Sequence, residues 1–226
     1  MKLRYFSHSA FQITTNSGKI LLIDPFLDHN PTSPVKSEEV VADYIVLSHG
    51  HGDHIGDSFK IADRTNPTFI AVNELANYCA GKGYKAHNMH IGGAHNFDFG
   101  RVKFTIAHHG SMTPDGTYGG EPAGILLTID NVTVYHTGDT SLFYDMKLIG
   151  EMNPIDYMLL PIGDNYTMGI TDAVKAVELA NPKVAAIPMH YNTFPVVNAD
   201  PQEFKKKVEA LGKKAIVLNF GQEIEL

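Results

Sequence analysis

A single cysteine, Cys79, is the only thiol in the chain. No internal disulfide can form, and the expectation is a reduced, cytoplasmic protein. No apolar run approaches the ~18 residues a membrane span needs. The opening segment, Met1 to His8, also lacks the long apolar stretch of a signal peptide. Basic residues are in deficit, with Lys+Arg 18 against Asp+Glu 25 and a formal charge of −7. That balance counts against a surface built to neutralise nucleic-acid phosphates or anionic lipid. Linkers, low-complexity blocks, charge runs and solenoid repeats are missing too. Hydrophobic residues make up 43% and charged residues 19% of 226, which excludes disorder, collagen and coiled coil. A chain of this length buries a substantial core unaided, and one domain over 1–226 is expected.

What the chain has in excess is histidine, twelve in all. Their setting follows from the hydrophobic pattern. Short β-rich runs over 2–9, 11–15 and 19–24 are separated by turn residues such as Asn16-Ser17-Gly18. After a proline-punctuated loop, strand and helix patterns alternate: strand 44–48, helix 55–63, strand 68–72, helix 73–80. A second strand-rich stretch covers 85–91, 96–99, 102–107, 124–129 and 132–136. Alternation then resumes with helix 142–151, strand 157–162, helix 171–180 with Thr171 as N-cap, strand 184–189, helix 201–211 and strand 215–219. Meander, alternation, meander, alternation fits two sheets packed face to face with helices outside, an α/β four-layer αββα sandwich. A plain three-layer α/β fold is the alternative.

The strongest pattern is His49-Gly50-His51-Gly52-Asp53-His54, between a predicted strand and a predicted helix. In a turning segment, residues two apart project to one side, so His49 and His51 can grip one cation. Asp53 and His54, at the turn into the helix, can grip a second. The glycines let the backbone turn tightly with no side chain in the way. Imidazoles joined by a carboxylate suit Zn²⁺ and other transition metals better than Ca²⁺ or Mg²⁺. Four ligands cannot complete two shells, so partners are required at other strand ends. His109, Asp139 and His190 each follow a predicted strand. His108 competes with His109, but Phe104, Ile106 and His108 alternate on one strand face, whereas His109 leaves the strand and is free to turn.

On these residues the chain resembles the metallo-β-lactamase superfamily, with its HxHxDH motif, distal His, Asp in a Gly-Asp-Thr context and final His. It looks closest to the small stand-alone metal-dependent hydrolase branch, similar to ascorbate-6-phosphate lactonase, whose members also carry a His-Ser like His8-Ser9 and an Asp-Pro like Asp24-Pro25. The resemblance implies the αββα fold and two divalent cations, Zn most favoured, with Mn, Fe, Ni or Co as alternatives. His49, His51 and His109 would hold one and Asp53, His54 and His190 the other, with Asp139 bridging. It also narrows the class. Secreted β-lactamases carry a signal sequence and often a Cys where Asp139 stands, and flavin-linked di-iron members need Glu in place of His51. RNA-processing members carry an extra arm or inserted domain, and glyoxalase II-type thioesterases a helical C-terminal domain.

Two cations sharing a water lower its pKa toward neutrality and present hydroxide to a carbonyl or phosphoryl centre. The expected activity is hydrolysis of a small-molecule ester, lactone, thioester, amide or phosphoester. The alternatives are a nuclease or phosphodiesterase acting on nucleic acid and a non-catalytic metal- or ligand-binding module. Asp53 is expected to orient the water or accept its proton, and His8 to bind substrate or protonate the leaving group. Asp24, Asp164 and His136 are candidates to accept or brace the outer ring nitrogens of the ligands. The loops 111–122 and 163–169 are expected to shape specificity, with Tyr118 stacking on a substrate ring and the helix after Gly169 receiving an anion. His29, His87, His90 and His95 read as surface residues, and Cys79 as a small core hydrophobe. The partner is a small molecule, with a homo-oligomer possible and no membrane.

Overall fold

The computed structural model describes residues 1–226. Strands β1 (Lys2–Ser7), β2 (Ala10–Thr14), β3 (Ile20–Ile23) and β4 (Tyr44–Val46) come first. Helices α1 (Gly52–Ile55) and α2 (Ser58–Thr65) follow, then β5 (Thr68–Val72), α3 (Asn73–Gly81) and β6 (Lys85–Met89). The second half holds β7 (Ala94–Phe97), β8 (Gly100–Ile106), β9 (Ala123–Ile129) and β10 (Val132–His136). After these come α4 (Met146–Met152), β11 (Tyr157–Pro161), α5 (Ile170–Ala180), β12 (Ala185–Met189), α6 (Pro201–Ala210) and β13 (Glu223–Glu225).

The two halves share one plan. The seven-stranded sheet runs β13-β1-β2-β3-β4-β5-β6 and the six-stranded sheet β12-β11-β10-β9-β8-β7. Short turns join most of the consecutive antiparallel strands, the exception being β8 and β9, which the long loop 107–122 connects. The parallel pairs β4–β5, β5–β6, β10–β11 and β11–β12 are instead bridged by helices. A parallel connection needs such a crossover to bring the chain back to the same end. Strands β9, β11 and β12 are buried along nearly their whole length, as continuous apolar runs covered on both faces require. Side chains from both sheets merge into one cluster of 57 buried residues. The αββα sandwich expected from the order of elements is what the chain forms.

Several boundaries differ from the pattern. The expected helix 55–63 is two helices, broken where Gly56 takes φ +48°. A Cβ there would lie 2.5 Å from the Pro25 carbonyl oxygen, so only glycine lets the loop after β3 approach. The first of these helices starts at Gly52, inside the His motif. Helix α4 starts at Met146 rather than 142, and α5 is capped by Gly169 rather than Thr171. The predicted strand 215–219 makes a single bridge, Ala215 to Ala186, and the C-terminal strand is β13, paired with β1.

The register decides where function can sit. Strands β1, β3 and β4 run parallel to one another, as do β8, β10 and β12, through the intervening antiparallel partners. His8, Asp24 and His49 therefore follow carboxyl ends in one sheet, and His109, Asp139 and His190 follow them in the other. Carboxyl ends of strands are where open α/β sheets bind ligands. His8, Asp24 and His190 all adopt left-handed backbone, with φ of 55°, 45° and 53°. Each chain thus turns back sharply as it leaves its strand. Non-glycine residues in that region are uncommon and cluster at functional sites.

Candidate metal centre

Strand-end turns from both sheets bring the histidines together. His49, His51 and His109 each offer a ligand atom within 4.8 Å of the other two, and His8, Asp53, His54 and His190 form a second such set. Asp139 lies between the sets. Its Oδ2 is 3.6 Å from His109 Nε2, 3.3 Å from His54 Nε2 and 3.1 Å from His190 Nε2. Gly138 presents it with φ +63°, and a Cβ there would lie 2.6 Å from the Ala123 carbonyl oxygen.

A hydrogen-bonded chain fixes the outer nitrogens. Buried Asp24 accepts the Ser48 backbone N–H at 2.8 Å, the Ser48 hydroxyl at 2.5 Å and His54 Nδ1–H at 2.8 Å. Ser48 Oγ in turn accepts His49 Nδ1–H at 2.9 Å. Both ring Nε2 atoms therefore face the cluster, that of His49 3.0 Å from His51 Nδ1 and that of His54 3.3 Å from Asp139 Oδ2. Asp24 also falls within reach of His49 and His54 as a third potential cluster, but its oxygens already have three donors, so it orients ligands. His136 does not touch the inner carboxylates. Its Nε2–H donates to the Ser9 carbonyl, and its Nδ1 accepts Gly138 N–H, bracing the backbone beside His8 and Asp139. Asp164 lies outside the cluster, against Gly169 at the start of α5.

The electrostatics are those of a site built around positive charge. Burial opposes ionisation of Asp139, but His190 and His54 outweigh it and hold the carboxyl well below its ordinary range. Burial would lower the His54 imidazole, yet Asp139 and Asp24 on either side raise it well above its usual value. Burial lowers His49, His51 and His109, keeping these rings neutral and able to donate lone pairs. Within this nest His54 Nε2 and Asp139 Oδ1 are buried without a hydrogen-bond partner. Buried polar atoms without a partner cost about 1–3 kcal/mol or more each; a cation would satisfy the carboxylate oxygen and, in place of the His54 proton, the ring nitrogen as well. The donor set fits Zn²⁺, Mn²⁺, Fe²⁺, Co²⁺ or Ni²⁺.

His8 is fully buried. Its Nε2 is 3.2 Å from Asp53 Oδ2 and its Nδ1 2.9 Å from Thr193 Oγ1. The carboxylate can only accept, so Nε2 carries the proton and Nδ1 accepts from the threonine. Burial pushes His8 down to about 4, so at neutral pH it is an uncharged donor to Asp53. His108, the rival of His109, packs its ring 4.9 Å from Phe143 instead.

The cleft above the cluster has a volume of about 520 Å³ and is lined by His51, Asp53, His109, Asp139, Tyr166, His190, Phe194 and Val196. Tyr118 is not there. It lines a separate cavity with Val72, Glu74, His90, Ile91 and Glu121. The loop carrying it covers the motif from outside, with Gly50 N–H donating to Ser111 Oγ at 3.1 Å. The expected anion site at the start of α5 lies among Asp164, Asp172, Asp200 and Glu203 with Lys207 as the one cation, a net negative surrounding that disfavours anions. Sequence reasoning missed Ser48, Thr193, Phe194 and Val196. The apolar run Phe194-Pro195-Val196-Val197, directly after the last histidine of the pattern, was the available signal.

A four-layer sandwich with a His/Asp nest at the carboxyl ends of its strands defines a class of metal-dependent hydrolases. Residues 19–191 match the family model described as a beta-lactamase superfamily domain. The chain belongs to the beta-lactamase superfamily, in its stand-alone metal-dependent hydrolase branch. It is 52% identical over 231 aligned positions, covering all of both chains, to a protein of Bacillus cereus named "UPF0173 metal-dependent hydrolase". A solved metallo hydrolase of the hyperthermophilic archaeon Ignicoccus hospitalis, Igni18, is 39% identical with a TM-score of 0.91, covering 100% of this chain and 98% of the other. An isothiocyanate hydrolase from Delia radicum gut bacteria, at 18% identity and TM-score 0.79 over 100% and 99%, shares the fold.

Proposed function

We propose that the chain is a binuclear hydrolase of small molecules, with His49, His51 and His109 holding one divalent cation and Asp53, His54 and His190 the other. Asp139 bridges them. The observation that carries this assignment is the position of Asp139 Oδ2, within 3.6 Å of imidazole nitrogens from both sets, beside buried polar atoms that have no other partner. Zn²⁺ leads on affinity, with Mn²⁺, Fe²⁺, Co²⁺ and Ni²⁺ suited to the same donors. When bound, such a pair supplies Lewis acidity and a water acidic enough to act near neutral pH.

The protein's own groups do the rest. Asp24 and Ser48 hold His54 and His49 in the tautomer that turns Nε2 inward. Asp53, held ionised mainly by His8 and His54 against the opposing effect of burial, faces the cleft and is placed to orient the attacking water and take up its proton. His8 donates to Asp53 and fixes its orientation, while Thr193 fixes His8. The bond cleaved is an ester, lactone, thioester, amide or phosphoester, and the compartment is the cytoplasm. Polymeric nucleic acid is disfavoured because no Lys or Arg lines the cleft. Metal analysis tests the assignment. Two equivalents per chain are expected, falling to one in His109→Ala and in His190→Ala. A wild-type protein that saturates at one equivalent would sink the binuclear site.

A further inference from the structure

Three side chains in the cleft have no part in holding a cation. Tyr166 is 59% and Val196 55% exposed, and both line the cleft together with Phe194. Large apolar groups turned toward water in a concave site are unusual unless something covers them. Their placement is rigid. Asn192 N–H donates to the Val197 carbonyl and Val197 N–H to the Phe194 carbonyl, while Val197 itself is fully buried. Asn192 Oδ1 accepts Ala199 N–H at 3.0 Å, which closes the turn on its far side. Phe194 packs against Phe26, with ring centroids 6.3 Å apart, and against His8 at 5.8 Å. Tyr166 stands on a tight loop in which Asp164 and Asn165 both take left-handed backbone, and Asp164 N–H donates to the Met168 carbonyl.

Opposite this wall lie the ligand histidines and carboxylates, and no cationic side chain lines the cleft. A substrate group bearing negative charge away from the metals would be desolvated with nothing to pair it. A carboxylate on the leaving group or on the acyl chain is such a charge, whereas the charge of a phosphodiester sits on the phosphoryl oxygens of the reacting centre, where bound cations would pair with it. An uncharged ring or branched alkyl group gains from the wall instead, because burying apolar area is favourable. A cleft of about 520 Å³ lies within the roughly 300–1,000 Å³ range of small-ligand sites.

Resting on the hydrolytic role above, we infer that the substrates carry no charge beyond the bond being cut, as in aryl or bulky-alkyl esters and lactones, and that their apolar portion packs on Tyr166, Phe194 and Val196. For phenyl acetate the step balances simply. Water oxygen bonds to the acyl carbon as the bond to the phenolic oxygen breaks, and acetate, phenol and one proton are released.

The metal-loaded protein is assayed with phenyl acetate and with 4-acetoxybenzoate, the same ester carrying a carboxylate on the ring away from the bond cut, and naphthol binding is followed separately by saturation-transfer NMR. Phenyl acetate is expected to be the better substrate by at least ~10-fold in kcat/KM. Phe194→Ala and Val196→Ala each raise its KM by about fivefold, more than they change kcat, with a parallel loss of naphthol binding. Phe194→Leu recovers part of both. Val196 is exposed, so its variant folds whatever happens at Phe194. Preference for 4-acetoxybenzoate, or wall variants that leave KM and naphthol binding unchanged, overturns the substrate class. Absence of all turnover with wall-dependent naphthol binding intact overturns the hydrolytic role and supports the wall as a ring-binding surface.

Discussion

Two sets of imidazoles in this molecule approach to nearly the same distance. The rings of His49 and His54 are 4.0 Å apart in the strand-end nest, and those of His87 and His95 are 4.2 Å apart on β6 and β7, at the edges of the two sheets. Proximity is therefore not what makes a metal site. The nest is buried and holds Asp24, Asp53 and Asp139, which set tautomers and overcome the desolvation of His54. The edge pair is more open, and Phe97 is its aromatic neighbour. Burial and then His95 lower His87, with no carboxylate opposing them. Carboxylates that are themselves held in place turn neighbouring rings into ligands. Without them, two rings are only packing.

The largest effect should come from removing the residue that joins the two sets. Asp139→Ala is expected to lose at least one metal equivalent and to lower turnover by more than the ~100-fold that outer-sphere partners cost. Retention of both metals, read by elemental analysis, would show that Asp139 does not bridge. Next comes Asp24→Asn, which keeps the volume but removes the charge that orients His54. Metal affinity or activity should drop about 10–100-fold, as a chelator competition would measure. His8→Ala removes a hydrogen bond to an ionised carboxylate, worth about 1.5–3 kcal/mol, so turnover should fall roughly 10–100-fold with both metals kept. His8→Gln, which restores a donor, should recover part of that loss, and equal loss in both variants would argue for mere packing.

The smallest effect lies at the sheet edges. His87 has a folded value depressed below its ordinary 6.5. Its contribution to stability is present above 6.5 and is lost as pH falls through the folded value. His87→Asn should flatten the decline of the unfolding free energy between neutral pH and about pH 5, by no more than ~0.5 kcal/mol as read by denaturant titration, and leave metal content untouched. A fall in metal content would erase the distinction between the two sets.

Much of the site was legible because its chemistry is local in sequence. His49, His51, Asp53 and His54 lie within six positions. His109 falls beside His49 and His51, but strand alternation is not the reason, since β8 ends at Ile106 and both His108 and His109 lie beyond it. The sandwich was legible because meanders and helical crossovers leave different periodicities. What escaped was set by close approach. The helix break at Gly56 depends on where Pro25 passes, and β13 on an edge of β1 left open for it. The removal of Tyr118 to another cavity and the filling of the α5 start by Asp164 depend on loop paths that local propensity does not encode.

Residue type and spacing determined the candidate ligand set and the order of strands, since coordination chemistry and hydrophobic period are both properties of short segments. Which side chains face one another was decided only when the two sheets closed. The parallel run of β1, β3, β4 and of β8, β10, β12 puts residues more than 180 positions apart, such as His8 and His190, with ring centroids 3.9 Å apart. That meeting comes from burying a common core, a global free energy that no local pattern contains.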